Sequence, residues 1–232
     1  MALINCPECG KKISDKATAC PDCGCPINVT SSNSSTDPST SLDNLFILAR
    51  RAKEEKNATK ASSYYEQILL SKPDCWEAYF YSTYFSAMNS KKGELYSTVT
   101  EIINCETNAF RLIAENVNFV IGQKKAVSEL LEALNSIAVI FKNTLDELCI
   151  QFHREPGLFK SKEYYTLNDP IQYKKICPLI VKIFYNASKA ISQFWGNEFG
   201  VYTQKCRVLC INLLNSLIFE CDGCSQYIPP EN

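Results

Sequence analysis

From Leu42 onward, apolar side chains recur three and four positions apart, the period of an amphipathic helix. Leu45, Leu48, Ala49 and Ala52 share one face and Asn57 punctuates the pattern. Ala61, Tyr64, Tyr65, Ile68 and Leu69 form a second stripe that Pro73 stops, which predicts two short helices joined by a tight turn. Asp74 stands where a side chain can cap a third helix carrying Tyr79, Phe80 and Thr83. A fourth follows Lys91-Lys92-Gly93 and runs through Leu95, Val99, Ile102 and Ile103. The longest periodic stretch extends from about Thr107 to Phe152, with Leu130, Leu134, Ile137, Phe141, Leu145, Leu148 and Phe152 along one seam and Gly122 as a candidate break. After a loop at Pro156-Gly157, Asp169-Pro170 supplies an N-cap followed by proline at the first helical position. The helix it opens carries Tyr173, Ile176, Ile180, Ile183, Ala187, Ile191 and Phe194, with Pro178 expected to kink it. A last helix is expected over 198–219, before a frayed Tyr-Ile-Pro-Pro-Glu-Asn tail.

Ahead of Leu42 the pattern disappears. Residues 1–27 are cysteine-rich, with Leu3, Ile4, Ile13 and Ile27 as the sizeable apolar groups, and residues 28–41 are nearly all small and polar. A segment with so little to bury cannot offset the entropy of being ordered, so it reads as a flexible linker. The expected organisation is a ribbon over 1–27, a linker over 28–41, and an all-helical domain over 42–226. Within that domain, 42–105 would hold helix pairs and 107–220 long amphipathic helices.

Composition agrees with a mainly α-helical protein, because eight glycines in 232 residues are few for a turn-rich sheet. The formal net charge is −1, so no global attraction to nucleic acid or anionic lipid exists and any such binding must be local. Thirteen cysteines would suit a disulfide framework in an exported protein. The start Met-Ala-Leu-Ile-Asn-Cys lacks a basic segment followed by an apolar one, so reduced thiols and a cytoplasmic location are expected. Cysteines beyond Cys25 fall at helix-like positions, where a free thiol behaves as a small buried hydrophobe. No apolar run reaches the roughly 18 residues of a membrane span; Val208 to Phe219, the nearest, contains Asn212 and Asn215.

The strongest chemical signal is Cys6-Pro-Glu-Cys9-Gly10, followed by Cys20-Pro-Asp-Cys23-Gly24. In each Cys-x-x-Cys turn both sulfurs can face one point; proline presets the turn and glycine accepts a positive φ. Cys6, Cys9, Cys20 and Cys23 together match the closed tetrahedral coordination of one structural Zn²⁺, which leaves no position for substrate or activated water. Burial cannot hold so short a segment, so metal must. Cys25 reads as a spare thiol. Lys11, Lys12 and Lys16 are balanced by Glu8, Asp15 and Asp22, and four thiolates around a divalent cation add about −2, so protein contact is favoured over nucleic acid for this module.

With Ile13, Ser14, Asp15 and Ala17 between the knuckles, residues 5–27 resemble the short zinc ribbon found at the N-terminus of many bacterial proteins, attached there to varied second domains. Ala61, Tyr65, Ile68, Leu69 and Pro73, followed by Trp76-Glu-Ala-Tyr-Phe80, resemble a tetratricopeptide repeat over roughly 42–103, although Ala49 replaces its usual glycine. That resemblance implies a concave surface for a peptide or a partner's helix.

Nothing points to catalysis. His153 is the only histidine, is expected at the end of the long helix, and has no nucleophile elbow, phosphate loop or dinucleotide fingerprint beside it. Cys206 and Cys210 share a helix face, and Cys221-Asp-Gly-Cys224 is a further Cys-x-x-Cys. A helix continuing to Phe219 would separate the two pairs by about 16 Å, too far for one metal. Arg50-Arg51 and Lys53 read as a solvated face. The sequence therefore predicts a non-enzymatic zinc-binding adaptor with a protein partner, no membrane partner and no small-molecule substrate. The alternatives are a nucleic-acid-associated factor and a thiol redox sensor at Cys221 and Cys224.

Overall fold

A computed structural model describes residues 3–6, 8–14, 17–25, 38–156, 162–216 and 226–227. The expected linker at 28–37, the Cys221/Cys224 pair and the tail after Tyr227 lie outside the described residues. The described chain is mainly α-helical and divides into two compact units, Met1–Asn89 and Ser90–Asn232. This division falls inside the stretch expected to be one helical domain.

In the first unit, β1 (Leu3–Asn5) pairs antiparallel with β2 (Lys12–Ser14), placing Ile4 opposite Ile13. Three helices follow: α1 (Pro38–Glu54), α2 (Ala58–Ser71) and α3 (Trp76–Met88). Helix α1 begins four residues inside the expected linker, because Pro38 provides a preset first helical φ to which the amphipathic sequence can extend back. Asn57 caps α2, its side chain accepting from the Lys60 amide at 3.2 Å. Asp74 does not cap α3: the cap position falls on Cys75, with no side-chain bond. The α2–α3 interface is aromatic, Tyr65 stacking on Tyr81 at 5.3 Å and on Phe85 at 6.2 Å.

Arg50 is not merely solvated. It forms a two-pronged ion pair with Glu77, at 2.9 and 2.6 Å, and Tyr65 Oη donates to the same carboxylate at 3.1 Å. Burial would raise the Glu77 pKa, but the Arg50 hydrogen bonds and charge outweigh it and hold the carboxyl below its ordinary range. Lys53, from the same run, lies 4.2 Å over the Tyr81 ring.

The second unit starts with a short 3₁₀ turn (Lys92–Glu94) and α4 (Leu95–Asn116), continues through α5 (Val120–Cys149), the hairpin β3 (Ile150–Glu155) and β4 (Lys162–Leu167), then α6 (Pro170–Trp195) and α7 (Gly200–Ser216). A short β5 (Gln226–Tyr227) pairs with β4. Helix α4 runs unbroken past residue 106, and the helix break falls at 117–119, not at Gly122, which lies inside α5. The seam from Leu130 to Leu145 is buried as expected, but Phe152 lies in β3 opposite Tyr165 and is half exposed. Asp169 caps α6 through the Gln172 amide at 2.9 Å, and the helix continues through Pro178.

Glu106 occupies the apolar stripe of α4 with 0% exposure, and neither carboxylate oxygen has a hydrogen-bond partner among the described residues. Burial raises its pKa well above 4.5 and outweighs Asn186 and Lys182 on α6, which lower it; the Cys206 thiol on α7 also feels its charge. A raised folded-state pKa gives stability that is complete below the unfolded value and lost as pH rises through the folded value. Thermal melts should therefore show the second unit weakening as pH climbs above about 4.5. Glu106→Gln should reduce that slope, leaving the share of Asp146, whose pKa burial also raises, and gain roughly 1 kcal/mol at neutral pH. For the first unit, Arg50→Ala strands a buried carboxylate. It should cost about 2 kcal/mol in chemical denaturation, less than a fully buried pair because Arg50 is half exposed.

Candidate metal centre

One half of the centre comes from the turn that joins β1 to β2, the other from a second tight turn further along the chain. The Gly10 amide donates to the Cys6 carbonyl at 2.9 Å and the Gly24 amide to the Cys20 carbonyl at 2.8 Å. Both glycines have positive φ, +70° and +72°, as the knuckle motif requires. Across the two turns the Cys6 and Cys23 sulfurs stand 3.5 Å apart, and those of Cys9 and Cys20 3.6 Å apart. All four sulfurs lie within 4.8 Å of one another.

These spacings exceed a disulfide's and suit a shared cation. A tetrahedral ion with metal–sulfur bonds of about 2.3 Å requires sulfur–sulfur edges of about 3.8 Å. Cys6, Cys9, Cys20 and Cys23 can thus hold one metal ion, and they are the only such cluster among the described residues. No protein-family model, curated protein or solved structure matches the chain. The ribbon resemblance accordingly stands on the spacing of these cysteines and on the geometry that brings them together.

Electrostatics within the cluster favour a cation. A backbone hydrogen bond from Cys9 lowers the Cys6 thiol to about 6 against the opposing effect of burial, whereas burial, reinforced by the surrounding sulfurs, pushes Cys23 up to about 12. The Cys6 thiol is thus the readier to ionise, and a cation would favour the thiolate at Cys23. Cys25 is buried with Ile13 in the ribbon's small core, burial pushes its thiol up to about 11, and it stands outside the four-sulfur cluster.

Four residues not singled out as site residues prove to surround the cluster. Glu8, between the first two cysteines, accepts from Lys60 Nζ at 2.5 Å and Tyr64 Oη at 2.8 Å, both on α2. Arg51 on α1 reaches the Cys23 carbonyl at 3.3 Å while pairing with Glu55. A small cavity of about 160 Å³ lies between ribbon and helices, lined in part by Cys9, Cys23, Leu48 and Arg51. Lys60 and Tyr64 sit four apart on one helix face, but no local pattern joins them to a glutamate more than fifty residues earlier.

His153 is not helix-terminal. It lies in β3, its Nε2 2.7 Å from Thr166 Oγ1 on β4. Cys206 is buried, its thiol pushed up to about 12 by that burial, and Cys210 is half-buried.

Replacing Cys9 or Cys20 with serine should weaken metal binding by more than the roughly 100-fold that loss of an outer partner costs, while Cys25→Ser should retain one equivalent. Competition with a chromophoric chelator reads both. Lys60→Met, which removes a side chain that reaches the cluster only through Glu8, should weaken binding by less than about tenfold in the same assay.

Proposed function

We propose that the chain is a zinc-stabilised, non-enzymatic interaction protein whose ribbon and helices contact macromolecular partners in a reducing compartment. The observation that carries this reading is the enclosure of one point by four cysteine sulfurs, all within 4.8 Å. Such a donor set favours Zn²⁺ and leaves it no open position for a substrate or an activated water, so the ion's contribution is a fold. With binding worth on the order of 10 to 16 kcal/mol, the metal stabilises a ribbon whose own buried group is as small as Ile13, Cys6, Cys20 and Cys25.

The tetratricopeptide-like reading of α1 to α3 is supported by short helices with short connections, a break after Ser71 at Pro73, and an aromatic first helix thereafter. On this reading the helices present a partner-binding surface beside the ribbon. The paired state of Lys11, 2.6 Å from Asp22, and of Lys60 with Glu8 leaves less positive charge for phosphate, which favours a protein partner.

Quantitative affinity capture with zinc-loaded full-length protein, set beside Cys9→Ser/Cys20→Ser, tests the proposal. A defined protein partner lost from the double variant is the expected outcome. Binding of nucleic acid that collapses between about 50 and 200 mM salt would assign the chain to the nucleic-acid-associated class instead. Rapid alkylation of Cys221 and Cys224 in the zinc-loaded protein would favour the redox reading.

A further inference from the structure

The end of the second unit where α4 turns into α5 is built in a way that folding alone does not require. Phe119 and Ile121 are 86% and 83% exposed, and Val120 between them is also exposed. Val201, at the start of α7, is exposed as well. It belongs to the same end, because the Phe199 ring two residues before it lies 5.6 Å beneath Lys124 Nζ and stacks on Trp195, which donates to Gln123 Oε1 at 2.9 Å.

Phe119 has φ +63° and ψ 137°, a region that a bulky L-residue enters at a cost of about 1–3 kcal/mol and that glycine would occupy freely. The turn is nevertheless pinned: the Gln123 side-chain amide donates to the Ala114 and Val117 carbonyls at 3.2 and 3.0 Å. A rigid turn thus holds a strained phenylalanine outward, where it contributes nothing to the core.

Charge indicates what the apolar tip meets. In 117–125 and 196–201 the ionisable side chains are Lys124, Lys125 and Glu198. Helices α5 and α7 begin at this end and α4 and α6 finish there, so the partial charges of the helix termini offset one another and the net positive charge is that of the two lysines over Glu198. Apolar side chains flanked by net positive charge fit the boundary between acyl chains and anionic headgroups. Among the described residues no helix is long and apolar enough to cross a membrane, so contact of this kind would be peripheral.

We propose that Phe119, Val120 and Ile121 form an insertion tip that binds the surface of an anionic lipid bilayer, with Lys124 and Lys125 supplying the electrostatic part. Sedimentation of the full-length, zinc-loaded protein with phosphatidylcholine vesicles, with and without about 30% phosphatidylserine, tests this. Binding should be selective for the anionic vesicles and should weaken towards about 0.5 M salt. Phe119→Gly/Ile121→Ser should reduce it at least about tenfold. Because glycine relieves the strained φ, Phe119→Gly alone should melt at the wild-type temperature or higher, which separates lost binding from lost folding. Equal sedimentation with neutral and anionic vesicles, or unchanged binding by the double variant, would overturn the proposal. So would concentration-dependent self-association abolished by Ile121→Ser, which would assign the tip to a second copy of the chain.

Discussion

With a divalent cation bound, four thiolates facing one point would carry about two more negative charges than the cation cancels, and basic side chains of the first unit stand around that point. Lys60 and Arg51 come from helices far along the chain and are held against the knuckles, Lys60 through Glu8 and Arg51 through the Cys23 carbonyl. Lys11 bridges the two knuckles through Asp22. The cation would thus order the ribbon, and the ribbon in turn gives α1 and α2 further polar partners through Arg51, Lys60 and Tyr64. Burial accounts for little of this, since the ribbon's buried group is a single isoleucine packed among cysteines.

The second unit rests on the opposite economy, with long helices α4, α5 and α6 packed through continuous aliphatic seams. Its surplus of apolar contact tolerates two local violations. Glu106 is buried without a hydrogen-bond partner among the described residues, and Phe119 takes a backbone conformation suited to glycine. The first lies in the core and bears on stability. The second lies at an exposed end, where strain without a packing return points outward to a ligand.

Much of this was legible in the residues. The Cys-x-x-Cys pairs identified the four converging sulfurs, because the motif fixes local geometry that the rest of the chain need only bring together. Asn57, Pro73 and Asp169-Pro170 marked helix ends correctly, since caps and proline act within one turn. Three features were not visible for physical reasons. Phe152 continues the helical spacing from Leu148, so periodicity carried α5 too far, whereas β3 depends on pairing with β4, a non-local interaction. The break at 117–119 is made by a positive φ at a residue with no turn preference. The Glu8–Lys60 and Glu8–Tyr64 contacts span more than fifty residues and leave no periodic trace.

X-ray absorption at the zinc edge of the purified protein measures the central claim most directly. Four sulfur neighbours at about 2.3 Å, with no oxygen or nitrogen in the first shell, are the predicted result. A first shell containing oxygen or nitrogen, or fewer than four sulfurs, would contradict a closed structural centre at Cys6, Cys9, Cys20 and Cys23.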